Sequence, residues 1–63
     1  MLKVRMMKRK KLIQRLENNG WWLKREGTNH SVYTNGTANE PIPRHVEIDE
    51  VLAQAIIKRQ GLK

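Results

Sequence analysis

Residues Trp21–Gly36 read WWLKREGTNHSVYTNG, and the division of this stretch into strands and turns decides the fold. From Trp21 to Glu26 the side chains alternate with the period of a strand, which puts Trp21, Leu23 and Arg25 on one face and Trp22, Lys24 and Glu26 on the other. Gly27-Thr28-Asn29 interrupts that pattern with small polar residues. His30 to Thr34, built around Val32 and Tyr33, then has the composition of a second strand. Asn35-Gly36 predicts a type I′ hairpin turn, since both residues tolerate positive φ. A third strand is expected from Thr37 to Ile42, and it belongs at a sheet edge because Pro41 and Pro43 have no amide hydrogen to donate. The result is a meander whose second strand opens with a histidine beside a glycine turn.

On either side of the meander the apolar spacing becomes helical. Leu12, Ile13 and Leu16 form the stripe of a helix from Lys8 to Asn19, with Gly20 supplying a left-handed end. At the other end Asp49 is a suitable N-cap and Glu50 puts negative charge in the first turn. Leu52, Ala53, Ile56 and Ile57 supply the apolar stripe, Lys58-Arg59 suit the last turn, and Gly61 closes the helix with Leu62 folding back on Ile57. A chain of 63 residues has apolar side chains for one core, so both helices must cover the same sheet face. The expectation is an α+β fold: one αβββα domain over residues 8–63, behind a basic extension at residues 1–7 that frays. Its inward set is Leu12, Ile13, Leu16, Trp21, Leu23, Ile42, Leu52 and Ile56. Trp22 points outward, either as a surface aromatic or as a stacking platform.

The net charge of +7 is distributed unevenly. Lys3, Arg5, Lys8, Arg9, Lys10, Lys11 and Arg15 fall within residues 1–16 without an acid, while the 6 remaining basic residues cancel the 6 acidic ones. Cations in the first turn of a helix oppose its dipole, at up to about 1 kcal/mol each. On charge alone such a cluster is either a solvated basic arm or the footprint of a polyanion such as nucleic acid, which would give it a purpose. The chain has no cysteine, hence neither a disulfide nor a thiolate zinc site, and its two histidines lack a metal-ligand spacing. No metal or other cofactor is implied. No apolar run approaches the roughly 20 residues of a membrane helix, and the N-terminus lacks a signal-peptide pattern. The expected setting is soluble and cytoplasmic.

Two residues suit proton transfer near neutral pH, His30 and His45. His45 follows Pro43-Arg44 in the loop before the last helix, where it reads as a surface residue or a second acid or base. His30 stands at a strand start beside the Gly27 turn, where glycine leaves room for the backbone to approach a ligand, and Lys24-Arg25 precede it.

The pattern LIQRLENNGW from Leu12 to Trp21 runs on into Leu23, Gly27-Thr28-Asn29-His30, Tyr33, Pro43-Arg44-His45 and a terminal Gln60-Gly61-Leu62. Taken in that order, from about Lys8 to Leu62, it resembles the HicA family of toxins from type II toxin-antitoxin modules. The resemblance implies a fold related to double-stranded RNA-binding domains, cleavage of messenger RNA, and neutralisation by a HicB antitoxin in a hetero-oligomer. The family's glycine, serine, variable residue, histidine motif matches Gly27, Thr28, Asn29 and His30, and carries the catalytic role to His30. Thr28 stands for the commoner serine, and the third strand, Thr37-Ala38-Asn39-Glu40, is more polar than the family pattern.

These residues fit a chemistry in which His30 deprotonates a ribose 2′-hydroxyl. Lys24, Arg25 and Arg44 are candidates to stabilise the phosphorane, with Lys8, Arg9, Lys10 and Lys11 holding the RNA backbone. Lys24 and Arg25 alternate, so only one shares the surface of His30, and the register across the turn decides which. The alternatives are a double-stranded-RNA-binding module without catalysis, or a small inhibitor that docks an acidic partner through Trp22 and the basic arm.

Overall fold

The computed structural model describes residues 5–63, so Lys3 and the start of the expected extension lie outside the described residues. The elements in chain order are β1 (Met6–Lys8), α1 (Arg9–Asn18), β2 (Trp22–Glu26), β3 (His30–Thr34), β4 (Asn39–Pro43), β5 (Glu47–Asp49) and α2 (Glu50–Gln60). The strands β2, β3 and β4 form an antiparallel meander in that order, which leaves β4 at the edge that its prolines require. Leu12 and Leu16 of α1 and Ala53, Ile56 and Ile57 of α2 share one buried cluster with Tyr33 and Ile42 of the sheet. Both helices therefore cover one face of the sheet, and the αβββα arrangement is the observed fold.

Four local differences from the sequence reading have physical causes. The first is β1, which pairs with β5 (Met6 with Asp49, Met7 with Ile48, Lys8 with Glu47) as a separate two-stranded ribbon. Met6 and Met7, assigned by sequence to a fraying extension, are thereby strand residues, and the amide of Arg9 donates to the carbonyl of Val46 at 2.8 Å. The ribbon joins the starts of the two helices.

The second lies in the β3–β4 connection. No residue other than glycine has positive φ among the described residues, so Asn35 does not enter a type I′ turn. Its Oδ1 instead accepts from the amides of Thr37 (2.9 Å) and Ala38 (2.7 Å). Thr34 Oγ1 donates to the Ala38 carbonyl, and β4 starts at Asn39 rather than Thr37. An Asx-type side chain has replaced the backbone geometry expected of Asn-Gly.

The third is a bulge in β2. Leu23 pairs with Tyr33 but Arg25 pairs with Val32, so Lys24 is an extra residue without a partner. Beyond it the alternation is reversed: Arg25 lies on the open face with Trp22, and Glu26 lies on the helix side with Ser31. The fourth concerns the core. Leu23 and Leu52, expected inside, are 43% and 40% exposed, whereas Tyr33, Ile48 and Leu62 are buried. Ile13 packs against the core from a partly buried position.

α2 follows its local signals closely. Asp49 Oδ1 accepts from the Val51 amide at 2.8 Å, Gly61 is left-handed at φ 63, and the Leu62 amide donates to the Ile57 carbonyl at 2.9 Å. Its last turn also holds the sheet. Arg59 donates through Nε and Nη2 to the two oxygens of Glu40, and Gln60 donates to Oε1. The polar third strand is explained by this contact, because Glu40 faces inward and its carboxylate is buried against a guanidinium.

Candidate active site

The pairing register arranges the open sheet face in rows. Trp22, Thr34 and Asn39 form one, Arg25, Val32 and Pro41 the next, and His30 with Pro43 the last, at the end beside the Gly27 turn. His30 is exposed and is not covered by either helix. Arg25, opposite Val32, is its diagonal neighbour on this face, a relation that sets two residues roughly 7–8 Å apart, within reach of long side chains. The bulge thus answers the question left open by alternation. Arg25 shares the face of His30, while Lys24 is the unpaired residue beside Arg25.

The backbone at His30 is held from several directions. The amide of Gly27 donates to the His30 carbonyl at 2.8 Å, closing the turn made by Gly27, Thr28 and Asn29. A Cβ at Gly27 would lie 2.9 Å from that same oxygen, closer than real Cβ contacts, so glycine is needed here for the approach of two backbones. The sequence reading had assigned that room to a ligand.

On the opposite face, immediately after His30, Ser31 is 1% exposed and central to a polar chain. Arg9 donates from Nη2 to Ser31 Oγ at 2.7 Å and from Nε to the Pro43 carbonyl at 2.8 Å. Ser31 Oγ donates to Glu26 Oε1 at 2.5 Å, and Arg44 donates to the same oxygen at 3.0 Å. The Ser31 hydrogen bond is the main cause that holds the Glu26 carboxyl below its ordinary range; partial desolvation opposes it, and the charges of Arg44 and Arg9 add to it. Arg9 is therefore a clamp between α1 and both strands beside His30, and not one of a row of free phosphate contacts. Nothing in the sequence marks Ser31 or Glu26 for this role, since each is found only through the register.

The other cations are distributed unequally. Lys8 pairs with Glu47 at 3.0 Å. Lys10 and Lys11 make no ion pair among the described residues. With Lys8, Arg9 and Arg44 they line an open groove of about 920 Å³ beside α1, whose lining includes neither histidine. Arg44 connects the two regions, because it borders the groove and also reaches Glu26 next to the His30 turn. His45 is exposed in the β4–β5 connection. No group of three or more histidine, aspartate or glutamate side chains that could hold a metal occurs among the described residues. No helix among them is long and apolar enough to cross a membrane.

A family model described as the HicA toxin of bacterial toxin-antitoxin matches residues 9–62. The chain belongs to the HicA toxin family. The match runs from the first residue of α1 to the leucine that closes the core after α2, so the HicA unit is the αβββα body and β1 precedes it. No curated protein and no solved structure gives a significant match. Membership makes this HicA chain the toxin of a toxin-antitoxin pair, whose natural partner is an antitoxin.

Proposed function

We propose that this HicA-family toxin is an endoribonuclease that cleaves messenger RNA with His30 as general base and needs no metal ion. The observation that carries this reading is the placement of His30: exposed at the end of an open sheet face, with its backbone pinned by Gly27 and Arg25 on the same surface. RNA supplies its own nucleophile. The neutral imidazole removes the proton of a ribose 2′-hydroxyl, the oxygen attacks the adjacent phosphorus in line, and the bond to the 5′-oxygen breaks. The products are a 2′,3′-cyclic phosphate and a 5′-hydroxyl, the proton for the latter returning from the His30 imidazolium, from His45 or from water.

Charge on the phosphorane oxygens falls to Arg25 first, by its shared face, and to Arg44 second. Lys10 and Lys11, with Lys8 and Arg44 along the groove, hold the RNA backbone by counterion release. The antitoxin in this reading is a HicB-type protein that forms a hetero-oligomer with the toxin and covers His30 and its cations.

The test is incubation of the purified chain and its His30→Ala variant with RNA in EDTA. Cleavage by the parent, ending in cyclic phosphates and absent from the variant, is the expected result. If both are inert but bind RNA, the protein is a binding module; if both cut equally, His30 is not the base.

A further inference from the structure

The end of the open sheet face farthest from His30 carries a large aromatic ring. Trp22 is 52% exposed, opposite Thr34 on β3. Its position is constrained by the β3–β4 turn, since a Cβ on Gly36 would lie 3.4 Å from its Cη2. Thr34 and His30 are four residues apart on the same strand, so the row of Trp22 is displaced from the row of His30 by roughly 13 Å. Between them lie Val32, Pro41 and the cation Arg25.

The face also lacks negative charge. The meander contains two carboxylates, Glu26 and Glu40, and both belong to the other side, held by Ser31 and Arg44 and by Arg59 and Gln60. A half-exposed indole, an arginine and a histidine on one acid-free surface are complementary to a strand that carries both phosphates and unpaired bases. A duplex does not fit this chemistry, because its base faces are already stacked on one another.

We propose that Trp22 is a nucleobase-stacking subsite for single-stranded RNA, which lies across the open sheet face with its reacting phosphate at His30. The position of that phosphate rests on the ribonuclease reading; the stacking contact does not. Trp22 then selects for unpaired segments without reading sequence, since every base has a π-face.

The experiment uses the full chain carrying His30→Ala, so that RNA is bound without being cut, and short single-stranded oligoribonucleotides as the probe. Adding Trp22→Ala is expected to weaken binding about tenfold, while Trp22→Phe keeps most of the affinity. One abasic position in the oligonucleotide is expected to cost a similar factor in the Trp22 background and nothing further with Trp22→Ala. Equal affinity of the Trp22 and Trp22→Ala chains overturns the proposal, and loss of antitoxin binding alone would then assign the ring to a protein contact. Abasic losses that add in full to Trp22→Ala overturn it as well. An unaltered thermal unfolding profile for Trp22→Ala excludes a folding artefact, and retention in Trp22→Phe covers the case where it is altered. Failure of the parent chain to cleave RNA would remove the nuclease reading and leave these binding results to decide the subsite.

Discussion

A methyl group added at Gly27 would meet the His30 carbonyl at 2.9 Å, and neither side of that contact is a flexible side chain. Gly27→Ala is thus expected to shift the start of β3; under the proposed ribonuclease reading it lowers single-turnover cleavage about tenfold or more with RNA affinity retained, because misplacement of a reacting group acts on the chemical step. Glu26 gives a second prediction at this scale. Its carboxyl, with an ordinary value of 4.5, is lowered in the folded chain chiefly by the Ser31 hydroxyl. The folded state therefore binds this proton less readily than the unfolded state. The stabilisation is complete above the ordinary value and is lost as pH falls through the lowered folded value. Denaturant midpoints measured from about pH 7 to about pH 3 should decline less steeply in Glu26→Gln, which should also be the less stable chain at neutral pH. The position of His30 at the start of β3 beside the Gly27 turn was legible because both signals are local, whereas the role proposed for it came from the family resemblance. The polar chain of Glu26, Ser31 and Arg9 was not legible, because these residues meet only when α1, β2 and β3 are assembled.

Elements whose signals lie within a few residues were legible, and those decided by pairing were not. α2 shows the first case: cap, apolar stripe and terminal glycine all lie within Asp49 to Leu62, and Asp49→Ala should cost about 1 kcal/mol in thermal or denaturant unfolding. The bulge at Lys24 shows the second, since alternation in a single strand carries no record of its neighbour's register. Leu23 and Leu52 have the hydrophobicity of core residues but are part-exposed, and the burial of Ile48 is set by the ribbon with β1. The contact between β4 and α2 is asymmetric in a testable way. The Glu40 side chain is 6% exposed and that of Arg59 is 54% exposed. Arg59→Ala leaves a hidden carboxylate short of its cation and should be the more destabilising change, while Glu40→Gln, which removes the buried charge, should cost less. Equal losses in chemical denaturation would contradict that account.

For the molecule as a whole, the excess positive charge divides into a structural part and an available part. Arg9 is engaged with the fold, while Lys8, in an exposed pair with Glu47, and Arg44, bonded to Glu26, are shared with the groove. Lys10 and Lys11 are the cations of the groove without a carboxylate partner among the described residues. Replacing both with alanine should reduce the slope of log affinity against log salt by about 0.7 per residue for a single-stranded RNA, with thermal stability unchanged or slightly raised by relief of the helix dipole. A salt slope unaffected by this change would remove the groove from the RNA path. The margins of the sheet have a consequence for self-association. β4 offers no amide hydrogen at residues 41 and 43, and the ladder of β2 is broken at Lys24. A second copy finds no continuous row of backbone donors and acceptors on which to add a strand. An uncovered sheet surface thus lies between two margins that give an incoming strand no continuous template.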